Sequence, residues 1–183
     1  DHIAALNIVN TAKGTFFLAD TLVNNHPSVE TLEEIVKLTN DSVKIFNVDP
    51  VIAMLSYSNF GADNTGSPVT VHKAVENLHK NHPEILVDGE MQVNFALDKD
   101  LRSATYPFSK LEGKDVNTLI FPNLSSANIT YKTLLSMGLA ENVGPVQMGL
   151  KKPIYVCEPE ASVRDIMNIV TIAVIDAQIN GKK

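Results

Sequence analysis

Thr118 to Lys132, TLIFPNLSSANITYK, passes from a strand pattern to a helix pattern within one short stretch. Thr118-Leu119-Ile120-Phe121 is an apolar run stopped by Pro122. Ser125, Ser126 and Asn128 then offer cap side chains ahead of Ile129, Tyr131, Leu134 and Leu135 at helical spacing. A buried strand running straight into a capped helix leaves backbone N–H groups at the carboxyl edge of a sheet, where α/β proteins take anionic ligands. By itself the loop needs no ligand, since Asn123, Ser125 and Asn128 serve equally to close a turn and cap a helix.

The same unit recurs upstream. Val51 to Ser56 is the continuous apolar run of a strand buried on both faces; polar Tyr57 to Ser67 follows, and Ser67-Pro68 starts a helix striped by Val71, Ala74, Val75 and Leu78. Pro83 closes that helix before a short strand, Ile85 to Val87, and the spacing predicts that Asp88 to Gln92 forms a loop directly behind it. Strand–loop–helix units at Met54 to Leu78, Ile85 to Leu97 and Thr118 to Leu135 predict an α/β fold, a three-layer sandwich with a mostly parallel or mixed sheet. Ser56, Ser58, Asn59, Asp88, Gln92, Asn123, Ser125 and Asn128 are then expected along one edge, lining one crevice.

Before these units, Ile3 to Val9 reads as a helix ending near Lys13-Gly14, and Phe16 to Asp20 as a strand. Thr31 with Glu34 forms a capping-box pattern that opens a helix through Leu32, Ile35, Val36, Val43 and Phe46. After the central units, Gly144-Pro145 and Lys152-Pro153 bracket a turn-rich return leading to a last strand, Ile154 to Cys157. Ser162 caps a closing helix with Asp165 at the capping-box position. From Ile166 to Ile175 this helix is apolar almost all round, so it must be covered on most sides.

The net charge of −6 and the presence of only two arginines argue against a nucleic-acid footprint. The single cysteine, Cys157, rules out an internal disulfide framework and a Cys-rich metal site, and fits a cytoplasmic location. Ile166 to Ala177 is too short to span a bilayer. No dinucleotide fingerprint, phosphate-binding loop, metal-ligand cluster or Ser-His-Asp spacing occurs. The chain starts at Asp1 in what reads as the middle of a helix, as expected of an excised domain.

Six strings carry a more specific signal together than any one alone: LSYSNFG (55–61), VDGEMQ (87–92), YPFSKLEG (106–113), LIFPNLSSANITYK (119–132), GPVQMGLKKP (144–153), and SVRDI with AVIDAQ near the end. They resemble the phosphotransacetylase family over essentially the whole chain, in the form found in the C-terminal phosphotransacetylase-like domain of bacterial NADP-dependent malic enzymes. The resemblance implies an isocitrate/isopropylmalate dehydrogenase-like fold. Residues 1–150 would be its second α/β domain, and residues 151–183 a return strand and helix packing on an absent N-terminal half.

The resemblance also implies metal-free acetyl transfer between acetyl phosphate and coenzyme A, with Asp165 at the position of the base. Active members carry Ser-Arg-Gly where this chain has Glu158-Pro159-Glu160, so a proline between two carboxylates replaces the phosphate-binding arginine. Such a loss costs about 3 kcal/mol of transition-state stabilisation. The expectation is therefore a vestigial base in a non-catalytic module that senses acetyl-CoA or a related acyl-CoA or phosphate ligand and builds a homo-oligomer. An active acetyltransferase and a purely structural scaffold are the alternatives. Malate oxidation, with its NADP and divalent metal, is expected only in separate N-terminal domains. Lys132, Lys151 and Lys152 are the candidate cations for the nucleotide end of coenzyme A.

Overall fold

A computed structural model describes residues 2–152, 154–157 and 161–180. The segment expected to be an opening helix is a strand. β1 (Ala4–Thr11) turns at Ala12-Lys13 into β2 (Gly14–Ala19), and the two pair antiparallel from Thr11 opposite Gly14 to Leu6 opposite Ala19. Gly14, at φ 123°, serves the hairpin turn rather than a helix end. A consecutive apolar run fits a helix or a strand buried on both faces, and burial of Ala4 to Val9 on both sides of the sheet selects the strand.

α1 (Val29–Ile45) begins two residues before Thr31, because Ser28 is the N-cap and accepts from the Thr31 N–H. Glu34, the expected capping-box partner, instead pairs with Lys37. β3 (Ile52–Leu55) follows, then α2 (Ser67–Asn81), whose N-cap is Gly66 at φ 64° rather than Ser67. The next strand also departs from expectation. β4 (Val87–Met91) contains Asp88 and Glu90, so VDGEM is a buried strand and not the loop behind one. Short α3 (Val93–Leu97) and α4 (Lys99–Thr105) lead to β5 (Thr118–Ile120) and α5 (Leu124–Ser136).

Gly144-Pro145 lies inside β6 (Ala140–Met148), which pairs antiparallel with β1 through a register shift at Leu6/Ile8, so the expected turn-rich return is largely a strand. Residues 154–157 form no strand, a second correction at this end. α6 (Val163–Asn180) closes the chain.

The sheet has six strands in the order β4-β3-β5-β2-β1-β6. β3 is parallel to β4 and β5, and β5 to β2, while β1 is antiparallel to both neighbours. Alternation along the strands divides the core in two. Ile52, Met54, Phe17 and Ile120 join α1 and α2 residues such as Ile35 and Val75, while Ala53, Leu55, Leu18 and Leu119 join Ala96 of α3 and Ala127 and Tyr131 of α5. The result is three layers. α6 lies against β6 and buries Ile169 and Ile172, leaving Val163, Met167, Val170 and Val174 at least 49% exposed in this chain.

Candidate functional site

Two successive connections leave the sheet in opposite senses. From β3 the chain passes through α2 on one face to β4; from β4 it passes through α3 and α4 to β5, which lies on the other side of β3. The carboxyl ends of β3 and β5 therefore splay at a topological switch point, where open α/β sheets form their ligand crevice. A cleft of about 580 Å³ lies there. Leu55, Ser56 and Tyr57 supply one wall, Phe121, Pro122 and Asn123 another, with Gln92, Val93 and Asn94 from the end of β4 and Ser126 and Thr130 from α5. Among the described residues, no charged side chain lines it. Its size suits a small organic ligand, and its mixture of apolar walls with amides and hydroxyls suits an uncharged part of one.

The eight residues expected to share this crevice separate into three groups. Ser56, Gln92 and Asn123 do come together. Ser58, Asn59 and Asp88 are spent inside the fold: the Ser58 hydroxyl accepts from the Asp63 N–H, the Asn59 side-chain Oδ1 from the Gln92 N–H, and buried Asp88 from the Ser109 hydroxyl at 2.7 Å and the Lys110 N–H at 2.8 Å. Burial without such partners would cost Asp88 several kcal/mol, roughly. Ser125 and Asn128 lie within α5, where the helical turn carries them to a separate shallow cleft beside Leu22 and Ile129.

The anion site expected at the start of α5 is largely occupied by the chain itself. Asn123 is the N-cap in place of Ser125, Ser126 or Asn128, and its side chain accepts from the Ser126 N–H at 2.9 Å. The Leu124 N–H donates to the Asn25 carbonyl and the Ala127 N–H to the Asn123 carbonyl. Few donors remain for an anion.

Asp165 and Lys132 meet elsewhere, in a cleft of about 250 Å³ between α5 and α6 that also holds Asn142 and Gly144. The Asp165 carboxylate accepts from the Ser162 hydroxyl at 2.7 Å and the Ser162 N–H at 2.8 Å, while the Asp165 N–H donates back to the Ser162 hydroxyl. This is a reciprocal capping box. The Ser162 contacts hold the Asp165 carboxyl below its usual range, the reverse of the raised value that makes a carboxylate a strong base. The Lys132 ammonium lies 5.0 Å from the Tyr131 ring centroid. Lys151 and Lys152 line another cleft, of about 380 Å³, with Phe46, Tyr155 and Asp176, so none of the three lysines borders the switch-point crevice. Glu158, Pro159 and Glu160 lie outside the described residues.

The box makes a pH prediction. Because Asp165 is more acidic when folded, its contribution to α6 is present above the unfolded carboxyl value and lost as pH falls through the depressed one. Asp165→Ala is expected to fray the first turn of α6 at neutral pH, read as faster amide exchange at Asp165 and Ile166. It should leave exchange in α5 unchanged.

Ser126, read from the sequence only as a possible cap, lines the crevice with Thr130 one turn on along α5, and with Val93 and Asn94, which the sequence did not single out. A one-turn spacing from the loop residue Asn123 was the available signal. Glu90 was also passed over, though it is fully buried.

Comparison with known proteins bears on the family and the fold. Residues 1–174 match the family model described as phosphate acetyl/butaryl transferase. The NADP-dependent malic enzyme of Escherichia coli K12 is 40% identical over 175 residues, covering 95% of this chain and 23% of that protein. The phosphate acetyltransferase of Clostridium acetobutylicum is 35% identical, covering 91% of this chain and 50% of that protein. A solved EutD phosphotransacetylase from Staphylococcus aureus superposes with a TM-score of 0.89 at 28% identity, over 97% of this chain and 55% of that one. A phosphotransacetylase from Streptococcus pyogenes gives 0.89 at 30% identity. The chain thus spans about a quarter of the malic enzyme and about half of the phosphotransacetylases.

Proposed function

This chain belongs to the phosphate acetyl/butaryl transferase family, and from that premise we propose that it is the acyl-CoA-sensing, non-catalytic phosphotransacetylase-like domain of an NADP-dependent malic enzyme. The observation that carries the reading is the uncharged switch-point crevice, whose lining offers amides and hydroxyls and, among the described residues, no cation to hold a transferring phosphate. The state of Asp165 supports it, since a carboxylate tied to Ser162 and acidified by that contact is poorly suited to deprotonate a thiol. Malate oxidation and its NADP and metal belong, on this reading, to other parts of the longer protein. α6 packs its exposed apolar side against such a part, and the domain takes part in building a homo-oligomer.

The test is turnover of acetyl phosphate and coenzyme A by the full-length protein. No acetyl transfer above background is expected, and Asp165→Asn should change nothing. Acetyl transfer that Asp165→Asn abolishes would replace this reading with that of an active phosphate acetyltransferase, which the 35% identity to such an enzyme keeps as the second reading.

The crevice itself is tested by filling it. Thr130 lies within α5, half-buried, and its hydroxyl donates only to the Ser126 carbonyl one turn back, so a larger side chain leaves the helix intact. Thr130→Trp is expected to weaken acetyl-CoA binding by about tenfold or more. Equilibrium dialysis on the full-length protein checks it.

A further inference from the structure

Glu90 is fully buried on the edge strand β4, and its side chain holds on to a loop rather than to another strand. One carboxylate oxygen accepts from the Gly61 N–H at 2.7 Å and the other lies 2.9 Å from His72 Nδ1. Four further bonds fasten the start of the same loop to the end of β4. The Ser56 N–H donates to the Met91 carbonyl, the Phe60 N–H to the Glu90 carbonyl, the Gln92 N–H to the Asn59 side chain, and the Gln92 amide to the Tyr57 carbonyl. These backbone and amide bonds are neutral. A buried carboxylate needs polar partners more than any neutral group does, so the Glu90 contacts are the costliest to break.

Resting on the reading of the crevice as the ligand site, we propose that Glu90 is its positioning residue: the carboxylate latches the 56–66 loop to β4 and thereby sets the wall formed by Ser56 and Tyr57. Glu90 does not line the crevice, so it acts through the loop. The latch point suits the task. Phe60 and Gly61 take φ values of 47° and 80°, a bend that brings the Gly61 N–H over the carboxylate and leaves room for the His72 ring, which a Cβ on Gly61 would approach to 3.7 Å.

His72 sits on α2 with Glu76 3.6 Å from its other ring nitrogen, so the latch joins three pieces of the fold: β4, the loop and α2. On the outer side, Phe60 packs against Tyr106 and Phe108, with centroids 4.8 Å and 5.1 Å away, and the loop's own acid, Asp63, is engaged by Tyr57 and Thr65. The half-exposed His72 is the side from which the latch is reachable from solvent, whereas Glu90 is not.

The test compares the full-length protein with Glu90→Gln, which keeps an acceptor for Gly61 and removes the charge, and with His72→Ala, which leaves the strand untouched. Asp20→Asn serves as a control, because Asp20 follows β2, two strands away from β3, and its carboxylate accepts from Ala5 and from the 22–24 turn rather than from the loop. Both latch variants are expected to speed exchange of the Phe60 and Gly61 amides by about tenfold or more relative to the α1 amides, and to weaken acetyl-CoA binding by a similar factor. The control should move overall stability without moving that ratio. Unchanged relative exchange of Phe60 and Gly61 in both latch variants, or an equal change in Asp20→Asn, overturns the latch. The exchange result needs no ligand, so a wild-type protein that binds no acetyl-CoA would count against the proposed function and leave the latch to be judged on exchange.

Discussion

Replacing Arg102 by leucine is expected to destabilise the domain by about 3–5 kcal/mol, a large part of the roughly 5–15 kcal/mol that holds a domain of this size folded. Arg102 is fully buried, and its guanidinium donates to four main-chain carbonyls: Phe95 and Ala96 at the end of α3, and Leu111 and Lys114 in the segment before β5. Among the described residues, no carboxylate touches it. Burial lowers its pKa, while Asp115, Asp88 and Asp98 act at longer range in the opposite direction. Leucine fills much of the space but strands those carbonyls, and each stranded acceptor costs about 1–3 kcal/mol. Lysine keeps the charge with a single nitrogen and is expected to recover less than half of the loss. The measurement is the guanidinium midpoint of unfolding, and a leucine variant within about 1 kcal/mol of wild type would contradict this account of Arg102.

Gly89→Ala is expected to cost about 3 kcal/mol or more, by strain rather than by lost bonds. Gly89 has φ 147°, and a Cβ there would stand 2.5 Å from the Met54 carbonyl oxygen of the neighbouring strand. Backbone is the obstacle, so no side chain can rotate out of the way; β4 must move away from β3. Because Asp88 and Glu90 flank this glycine, the same shift should loosen both carboxylates. Thermal unfolding checks the magnitude, and a variant that melts with the wild type would show that β4 yields more easily than the contact allows.

Neither of these positions was legible in the sequence, where Gly89 fell in an expected loop and Arg102 carried no signal. The β3, β5 and α5 pattern was legible because each element is long or apolar enough for one period to win, and the α/β class and the switch-point edge followed from it. β4 was not. Asp88 and Glu90 interrupt an apolar run with charges that normally mark a loop, and only their partners, Ser109 and Lys110 for one and Gly61 and His72 for the other, make a strand of it.

β1 was misread for the opposite reason, since an apolar run buried on both sheet faces carries no period. At the candidate site, Ser56 and Asn123 follow the ends of β3 and β5 as expected, and Gln92 joins them because β4 runs on to Met91. Ser125 and Asn128 went astray through the cap: once Asn123 starts the helix, the 100° turn per residue fixes which side chains face the crevice, and these are Ser126 and Thr130.

The central claim is that this domain holds an acyl-CoA by its uncharged portion at the sheet's switch point. Equilibrium dialysis of labelled acetyl-CoA against the full-length protein, with and without Thr130→Trp, tests it most directly. Saturable binding that the tryptophan weakens by about tenfold or more is the expected result. No saturable binding, or binding that Thr130→Trp leaves unchanged, would contradict the claim.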